Sequence, residues 1–501
     1  MPERPFCREQ AYLLPPSLDE WVAIDHPVRF VEAFVAQAMP ATRAALGLSQ
    51  PAEQIGAPRY APALLARVWV YGFMTGVRSA RALERACEEQ VPVRWLTGNQ
   101  TPDHTTLWRW YRAHQAGMRA LLAESVQVAA RAGLVDLALL AVDGTKLRAN
   151  AAADRMLTAD ELEALRTRTE AAIAALEAQN AGDEGPPPPR LPHALRTAAA
   201  VRDRITAAQA ACAARAATRG KAASVGTPRG NVTDPAARWM KTRLGTVPAY
   251  NAQVAVVATT GRAQALLGAG VPAGRIVVAA AVTTQPTDTA QLGPLVAQAA
   301  EHLGVVPSVT VADAGYFDGA QLAAAAALGT RAVVPEPDRR ASHGPYHRVQ
   351  FRHDPATDTL RCPTQQTLRR LNPTAPPTGA RRYGGLAPTC RVCPAFGACT
   401  RNAREGRVVT LTPHDATLQT HRDLRAWAPH RLALARRKTL VEGVIGTLKT
   451  VVGERQVRAR GRAHVEAEWQ ASAVGLNLRT LHRCWGALPA PQRWQVLPHA
   501  A

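Results

Sequence analysis

Three acidic residues stand in settings suited to divalent-cation chemistry on phosphodiesters. Asp143 closes the apolar run Val135-Asp-Leu-Ala-Leu-Leu-Ala-Val142 and opens Asp143-Gly-Thr-Lys146. Asp313 closes a second run, Val305-Val-Pro-Ser-Val-Thr-Val-Ala312, and opens Asp313-Ala-Gly-Tyr-Phe317. Glu442 lies in Arg437-Lys-Thr-Leu-Val-Glu-Gly-Val-Ile-Gly-Thr-Leu-Lys449, which reads as a helix. Two strand-end aspartates and a helix glutamate can converge on a pair of cations that activate an attacking oxygen and stabilise a leaving one. Hard oxygen ligands suit Mg2+, for which Mn2+ can substitute. An Asp directly after a buried-strand pattern is costly without a partner, and this favours Asp313. Asp-Gly alone is more often a turn, so Asp143 gains weight only from its order with the other two. Glu454, Glu466 and Glu468 read as solvated helix charges, since they lack the apolar surround and the Lys seven residues on.

The formal net charge is +21, which favours a polyanionic partner, nucleic acid above all. Abundant Ala, Arg and Pro point to a GC-rich coding bias that inflates the arginine count. The lysines are more telling: there are only five, Lys146, Lys221, Lys241, Lys438 and Lys449, and four of them fall in the motifs discussed here. Lys449 follows Glu442 by about two helical turns, on the same face, where it can reach a phosphate. Arg455, Arg458, Arg460 and Arg462 form a basic run suited to phosphate contacts, or a solvated loop. Lys146, Lys241 and Lys438 complete the candidate DNA-binding set.

Of eight cysteines, Cys7, Cys87, Cys212 and Cys484 are scattered and read as buried, reduced thiols. Cys362, Cys390, Cys393 and Cys399 cluster, but only Cys390 and Cys393 have the C-x2-C spacing of a zinc knuckle. A structural Zn2+ and a reduced cluster with packing or redox roles both remain open. His347, His421 and His430 have no helix-spaced partner and read as surface residues.

The elements that must position these residues fall into blocks. Residues 1–130 read as a helical domain, in which Ser79-Ala-Arg-Ala-Leu-Glu-Arg-Ala-Cys87 and Thr101-Pro-Asp-His-Thr-Thr-Leu-Trp-Arg-Trp-Tyr111 form two short helices joined by a loop, compatible with helix-turn-helix DNA binding or with plain packing. Residues 131–335 and 430–486 form an α/β core with Asp143 and Asp313 at strand C-termini, where such sheets bind ligands. Within it, residues 155–228 form a helical-hairpin insertion opened by the capping box Thr158-Ala-Asp-Glu161. One stripe is Leu162, Leu165, Ala172 and Leu176; the return stripe is Leu195, Val201, Ile205, Ala208 and Cys212. Prolines 186–189 separate them. Residues 336–429 are a Pro/Arg/Cys-rich insertion. A closing helix over residues 466–484 carries Trp469, Val474, Leu478 and Leu481 on its apolar side. No run of about 18 uncharged apolar residues predicts a membrane span, and the first residues lack the apolar centre of a signal peptide, so a cytoplasmic, nucleoid-associated protein is expected.

Taken with Asn231-Val-Thr-Asp-Pro235 and Tyr250-Asn-Ala-Gln253, these strings resemble, over nearly the whole chain, a DDE transposase of a bacterial insertion sequence with an InsH-type helical N-terminal domain. The family's signature around its glutamate is Tyr, two residues, Arg, three residues, Glu, six residues, Lys. Glu442 and Lys449 match it; Lys438 stands at the Arg position and Ala435 at the Tyr position. The resemblance implies a ribonuclease H-like core, with Asp143, Asp313 and Glu442 as ligands of two Mg2+ ions. It implies recognition of terminal inverted repeats, cleavage, strand transfer into target DNA and, because two ends are joined, a homodimer. A ribonuclease H-like nuclease without strand transfer and a decayed or domesticated DNA-binding transposase are the alternatives.

Overall fold

The computed structural model describes residues 17–47, 59–180, 193–217, 227–243, 245–267, 274–337, 344–372, 374, 379–424, 427–489 and 493. Cys7, Lys221, prolines 186–189 and the Leu195 side chain lie outside these.

The first block is helical: α1 (Leu18–Trp21), α2 (Pro27–Thr42), α3 (Pro62–Thr75), α4 (Ala80–Glu89), α5 (Val91–Leu96), α6 (His104–Ala113) and α7 (Ala116–Arg131). The starts follow local chemistry. Pro27 and Pro62 sit at first-turn positions, where a missing N–H costs nothing. Ser79 and Asp103 cap α4 and α6 through their side-chain oxygens. The expected helix pair is corrected, because α5 stands between α4 and α6. Val91-Pro-Val-Arg-Trp-Leu96 has Pro in its first turn and too few residues to show a period.

The core sheet begins with β1 (Val135–Arg148) and contains β4 (Arg238–Thr242), β5 (Gly245–Thr259), β6 (Arg275–Thr283), β7 (Val309–Val311) and β8 (Arg331–Val333). Strands β6, β5 and β1 are antiparallel neighbours, and β7 and β8 continue parallel to β1. The order β6-β5-β1-β7-β8 is that of a ribonuclease H-like mixed sheet. β4 pairs with the first part of β5, on the edge that β6 continues. Helices α10 (Gly261–Leu267), α11 (Leu292–Leu303) and α12 (Gly319–Ala327) fill the connections.

Two insertions leave this core. In the first, β2 (Met156–Leu157) pairs with β3 (Gly230–Asn231), and between them run α8 (Ala159–Asn180) and α9 (His193–Ala217). The capping box forms: the Thr158 amide donates to Glu161 at 2.7 Å, and the Glu161 amide donates to Thr158 Oγ1 at 3.3 Å. Leu162, Ile205, Ala208 and Cys212 pack together with Val232. Ala172 is exposed and Ile173 takes its place in the stripe, because the helical phase advances one residue. The second insertion is an antiparallel meander of β9 (Arg352–Asp354), β10 (Thr359–Arg361), β11 (Thr367–Arg370), β12 (Arg381–Gly384) and β13 (Val408–Leu411), with α13 (Ala387–Arg391) before β13 and α14 (Asp415–Asp423) after it.

The chain closes with α15 (Pro429–Thr450) and α16 (Arg462–Gly486). The expectation of one apolar side on α16 is corrected: it packs between β6 on one side and α3 and α7 on the other, and is buried nearly all round. Its polar side chains are spent on backbone groups. Asn477 takes both the N–H and the C=O of Val277 at 2.8 Å and donates to Ser125 at 2.9 Å, joining sheet to helical block. A Cβ on Gly475 would come within 2.5 Å of the Phe73 carbonyl, so only glycine permits this crossing with α3. Glu454 and Glu468 are likewise not solvated. They are buried on either side of Arg78, at 2.6 and 3.0 Å from its guanidinium. His430 is also buried, not a surface residue.

Candidate active site

Asp143 does not end its strand, as the apolar run suggested: β1 continues to Arg148 because it stays paired with β5 as far as Ala249. Its pairing with β7 is shorter and stops at Ala141 opposite Val311. Asp143 and Asp313 therefore both stand two residues beyond the same register pair, Asp143 within β1 and Asp313 just past the end of β7. After β7 the chain turns, and Asp313 caps that turn by accepting from the Gly315 amide at 2.8 Å. The two carboxylates feel each other. Burial is the main cause that pushes the Asp143 carboxyl above the usual range, and the charge of Asp313 adds to it, against Arg437 and the Gly144 amide.

Arg437, which the sequence reading passed over, projects from α15 and bonds Asp143 Oδ2 at 2.8 Å. Glu442 lies five residues further along the same helix, a displacement of roughly 7.5 Å and about 140° round the axis, and is exposed. The structure thus joins Asp143, Asp313 and Arg437 at one corner and leaves Glu442 on the outer side of α15. Among the described residues no three acidic, His or Cys side chains stand in a metal-ligating group.

The alternation along β1 turns Gly144 and Lys146 away from α15. On their side a fourth acid appears, Asp288, from the loop after β6. It accepts from Asn251 at 2.6 Å and Gln253 at 2.7 Å, and pairs with Lys146 at 3.5 Å. Gln253 also bonds the Tyr316 hydroxyl. Gly144 has to be glycine here, since a Cβ would meet Gln253 Nε2 at 2.4 Å and Asp288 Oδ1 at 2.7 Å. Burial lowers the Lys146 pKa, and the charges of Asp288, Asp313 and Asp143 oppose that shift. No periodic signal marks Asp288. The only hint was that Asn251 and Gln253 fall on one face of a strand otherwise apolar.

Two other strings prove to be one device. Asn231 Oδ1 accepts from the Thr233 and Asp234 amides, and buried Asp234 accepts from the Tyr250 hydroxyl at 2.7 and 2.8 Å and from the Gly461 amide at 3.1 Å. That last bond anchors the end of the basic segment. Residues 455–457 run alongside the end of β1, with bonds from Arg148 to the Arg455 carbonyl and from Val457 to the Arg148 carbonyl. Val457 and Ala459 turn inward, leaving Arg455, Arg458 and Arg460 exposed. Arg462 is instead paired with Glu466 at 2.7 Å. Lys449 is half-buried, and burial together with the charges of Arg243 and Arg455 lowers its pKa. Lys241 and Lys438 are exposed.

The four clustered cysteines line one cavity of the second insertion. Cys87, Cys212 and Cys484 are buried and unpaired, as expected.

The described residues thus form a helical block ahead of a ribonuclease H-like sheet, with Asp143 and Asp313 together beyond the β1–β7 pairing. Residues 16–113 match the family described as Transposase domain (DUF772), and residues 361–482 match the family described as Transposase DDE domain. The second match takes in the four cysteines, Glu442 and Lys449. Together the matches support a DDE-type insertion-sequence transposase. No curated protein matches the chain. Among the described residues no helix is long and apolar enough to cross a membrane.

Proposed function

We propose that the chain binds the terminal inverted repeats of an insertion sequence and, with Mg2+ held by Asp143, Asp313 and Glu442, cleaves and transfers DNA strands. The observation that carries this reading is the shared register of Asp143 and Asp313 beyond the Ala141–Val311 pair. The charge of Asp313 helps to raise the Asp143 carboxyl above its ordinary value, and two carboxylates so close are a fit for a divalent cation. When bound, such ions activate the attacking oxygen and stabilise the leaving one. Glu442 is exposed on α15, and to serve as the third ligand it would have to approach the pair by a movement of that helix.

In the first step a water oxygen bonds to phosphorus, its proton goes to solvent, and the bond to the bridging 3′ oxygen breaks to leave a 3′-hydroxyl. That hydroxyl then attacks a target phosphorus, releasing the target's 3′ oxygen. The protein's own contribution is positional. Lys449, Arg243 and Arg455 offer three cations to the backbone beside α15, and Arg458 and Arg460 extend the track. Lys241 and Lys438 are exposed and add to it, while Arg462, paired with Glu466, and Lys146, turned away from α15 and paired with Asp288, contribute less. Two ends brought together call for a homodimer.

The test uses the full chain, Mg2+ and a duplex ending in the inverted repeat that brackets its gene. Nicked product joined covalently to a second duplex supports transposition. Nicks without joined product would mean a plain nuclease, and neither product would mean a DNA-binding protein that has lost its chemistry.

Arg437 bonds Asp143 Oδ2, so the guanidinium and a cation on that carboxylate compete. Arg437→Gln is expected to tighten Mn2+ binding several-fold, on the order of 1 kcal/mol for a part-exposed charged contact, read as a larger Mn2+-induced rise in Tm. A rise equal to that of the unsubstituted chain would show that Arg437 does not occupy the cation's place.

A further inference from the structure

The meander β9–β13 has too little core for its size. Its fully buried apolar side chains are Phe351, Leu360, Leu368, Tyr383 and Val409, under five short strands. Units this small usually need a covalent or metal cross-link. At one end of the meander four reduced thiols face a single cavity of about 360 Å3. Cys362 comes from the β10–β11 turn, Cys390 from α13, and Cys393 and Cys399 from the turns that follow.

Polar and backbone groups close in on these sulfurs. The turn after β10 folds back so that the Gln366 amide donates to Cys362 Sγ at 3.2 Å, which holds that sulfur toward the cavity. The Thr364 hydroxyl stands between two of them, 3.1 Å from Cys362 Sγ and 3.6 Å from Cys393 Sγ. Backbone closes round the third: a Cβ on Gly385 or Gly406 would lie 2.9 or 3.0 Å from Cys390 Sγ, so both positions are kept bare. The ionisable side chains lining the cavity, apart from the thiols, are Arg369 and Arg407. Four thiolates round a divalent ion carry a net charge of −2, which two guanidiniums balance.

We propose that Cys362, Cys390, Cys393 and Cys399 bind one structural Zn2+ ion, which staples the meander. Four thiolates fill a tetrahedral site and leave no position open for substrate, so the role is structural. The sulfurs stand wider apart here than a bound ion requires, since no three form a ligating group. Zinc would draw them to roughly 3.8 Å from one another, as Zn–S bonds of about 2.3 Å dictate, displacing the Thr364 hydroxyl. Binding and ordering of this region are then one event. The inference does not depend on the catalytic reading, because the cavity and the acid pair share no residue.

The experiment is elemental analysis of the full chain after reconstitution with ZnSO4 under reducing conditions, followed by desalting. About one zinc per chain is expected, and a mercurial titration of the unsubstituted protein should release it as four thiols react. Co2+ in its place should give the intense visible bands and sulfur-to-cobalt charge transfer of a tetrahedral thiolate site. Cys362→Ser and Cys393→Ser should lose the ion, whereas Asp313→Asn should keep it. Hydrogen exchange over residues 352–411 should slow with zinc in the unsubstituted chain, a readout that needs no variant to fold. Zinc retained by both Ser variants, absence of zinc from the fully reduced chain, or a Cys390–Cys393 disulfide in the protein isolated under non-oxidising conditions would each overturn the proposal.

Discussion

Asp313→Asn is expected to reduce strand cleavage by about three orders of magnitude or more while leaving the fold intact. Loss of one cation-holding charge is worth several kcal/mol at the transition state, and about 4 kcal/mol is a thousandfold. The folding side is unusually clean. The Asp313 side chain's one structural duty is to accept from the Gly315 amide, and Asn caps as well as Asp. Tm should stay within a degree or two. Asp143→Asn should lose cleavage as fully, but it strands Arg437 and gives a less simple melting curve. Glu442→Gln is the informative companion. Glu442 is exposed and meets neither aspartate in the cation-free chain, so substitution should leave stability untouched. Loss of cleavage equal to that of Asp313→Asn would mean that α15 carries it into the site when DNA and cation bind. Unchanged cleavage would remove Glu442 from the reaction and direct attention to Asp288, the acid nearest Asp313 from the other face. Full cleavage by Asp313→Asn itself would end the acid-pair reading.

How much of this was visible beforehand depended on range. Asp143 and Asp313 could be read because each interrupts an apolar run, and a charge in that position is a local signal. Their alignment could not, because it comes from the Ala141–Val311 register between strands far apart in the chain. The α/β core followed from the succession of strands and helices, its ribonuclease H-like order only from the family resemblance, and the helical insertion from its capping box and apolar stripes. Glu454 and Glu468 were misread for the opposite reason. A glutamate beside a polar-looking helix is normally solvated, and only the packing of α16 between β6 and α3 shows that this helix has no outer face. The Ala- and Gly-rich string from Ala471 through Gly475 was the available hint, since small residues permit close approach on every side. Arg437 went unnoticed because it sits among other cations, where nothing local separates a phosphate-binding arginine from one folded back on an acid. The C-x2-C pair was legible, but Cys362 reaches it only through the β10–β11 turn.

Arg78→Met is expected to destabilise the chain by about 3–5 kcal/mol, the usual cost of removing one partner from a buried ion network. Arg78 lies between α3 and α4, yet its partners are Glu454, after α15, and Glu468, on α16, and its guanidinium also donates to the Gly453 carbonyl. One side chain thus fastens the helical block to the last two helices of the core. Glu468 is well supplied, accepting from the Arg458 and Ala459 amides as well. Glu454 accepts from Ser472, but its Oε2 is buried and meets no donor. One guanidinium cannot neutralise two carboxylates. Burial, and then the charge of Glu468, push Glu454 up to about 8, so it holds a proton at neutral pH. A group whose folded pKa exceeds its unfolded value stabilises fully below the unfolded value and loses that contribution as pH rises through the folded one. Stability at this site should therefore decline from the ordinary glutamate range, where the unfolded chain releases this proton, up to about pH 8, where Glu454 ionises in place as well. Glu454→Gln keeps the shape, removes the titration and should flatten the fall in Tm between the ordinary glutamate range and about pH 8, its advantage over the unsubstituted chain growing with pH. In Arg78→Met both acids must hold protons, so the deficit should widen with rising pH, and Arg78→Met combined with Glu454→Gln should recover part of it. If Arg78→Met melts like the unsubstituted chain across that range, the helical block is not fastened to the core through these three side chains.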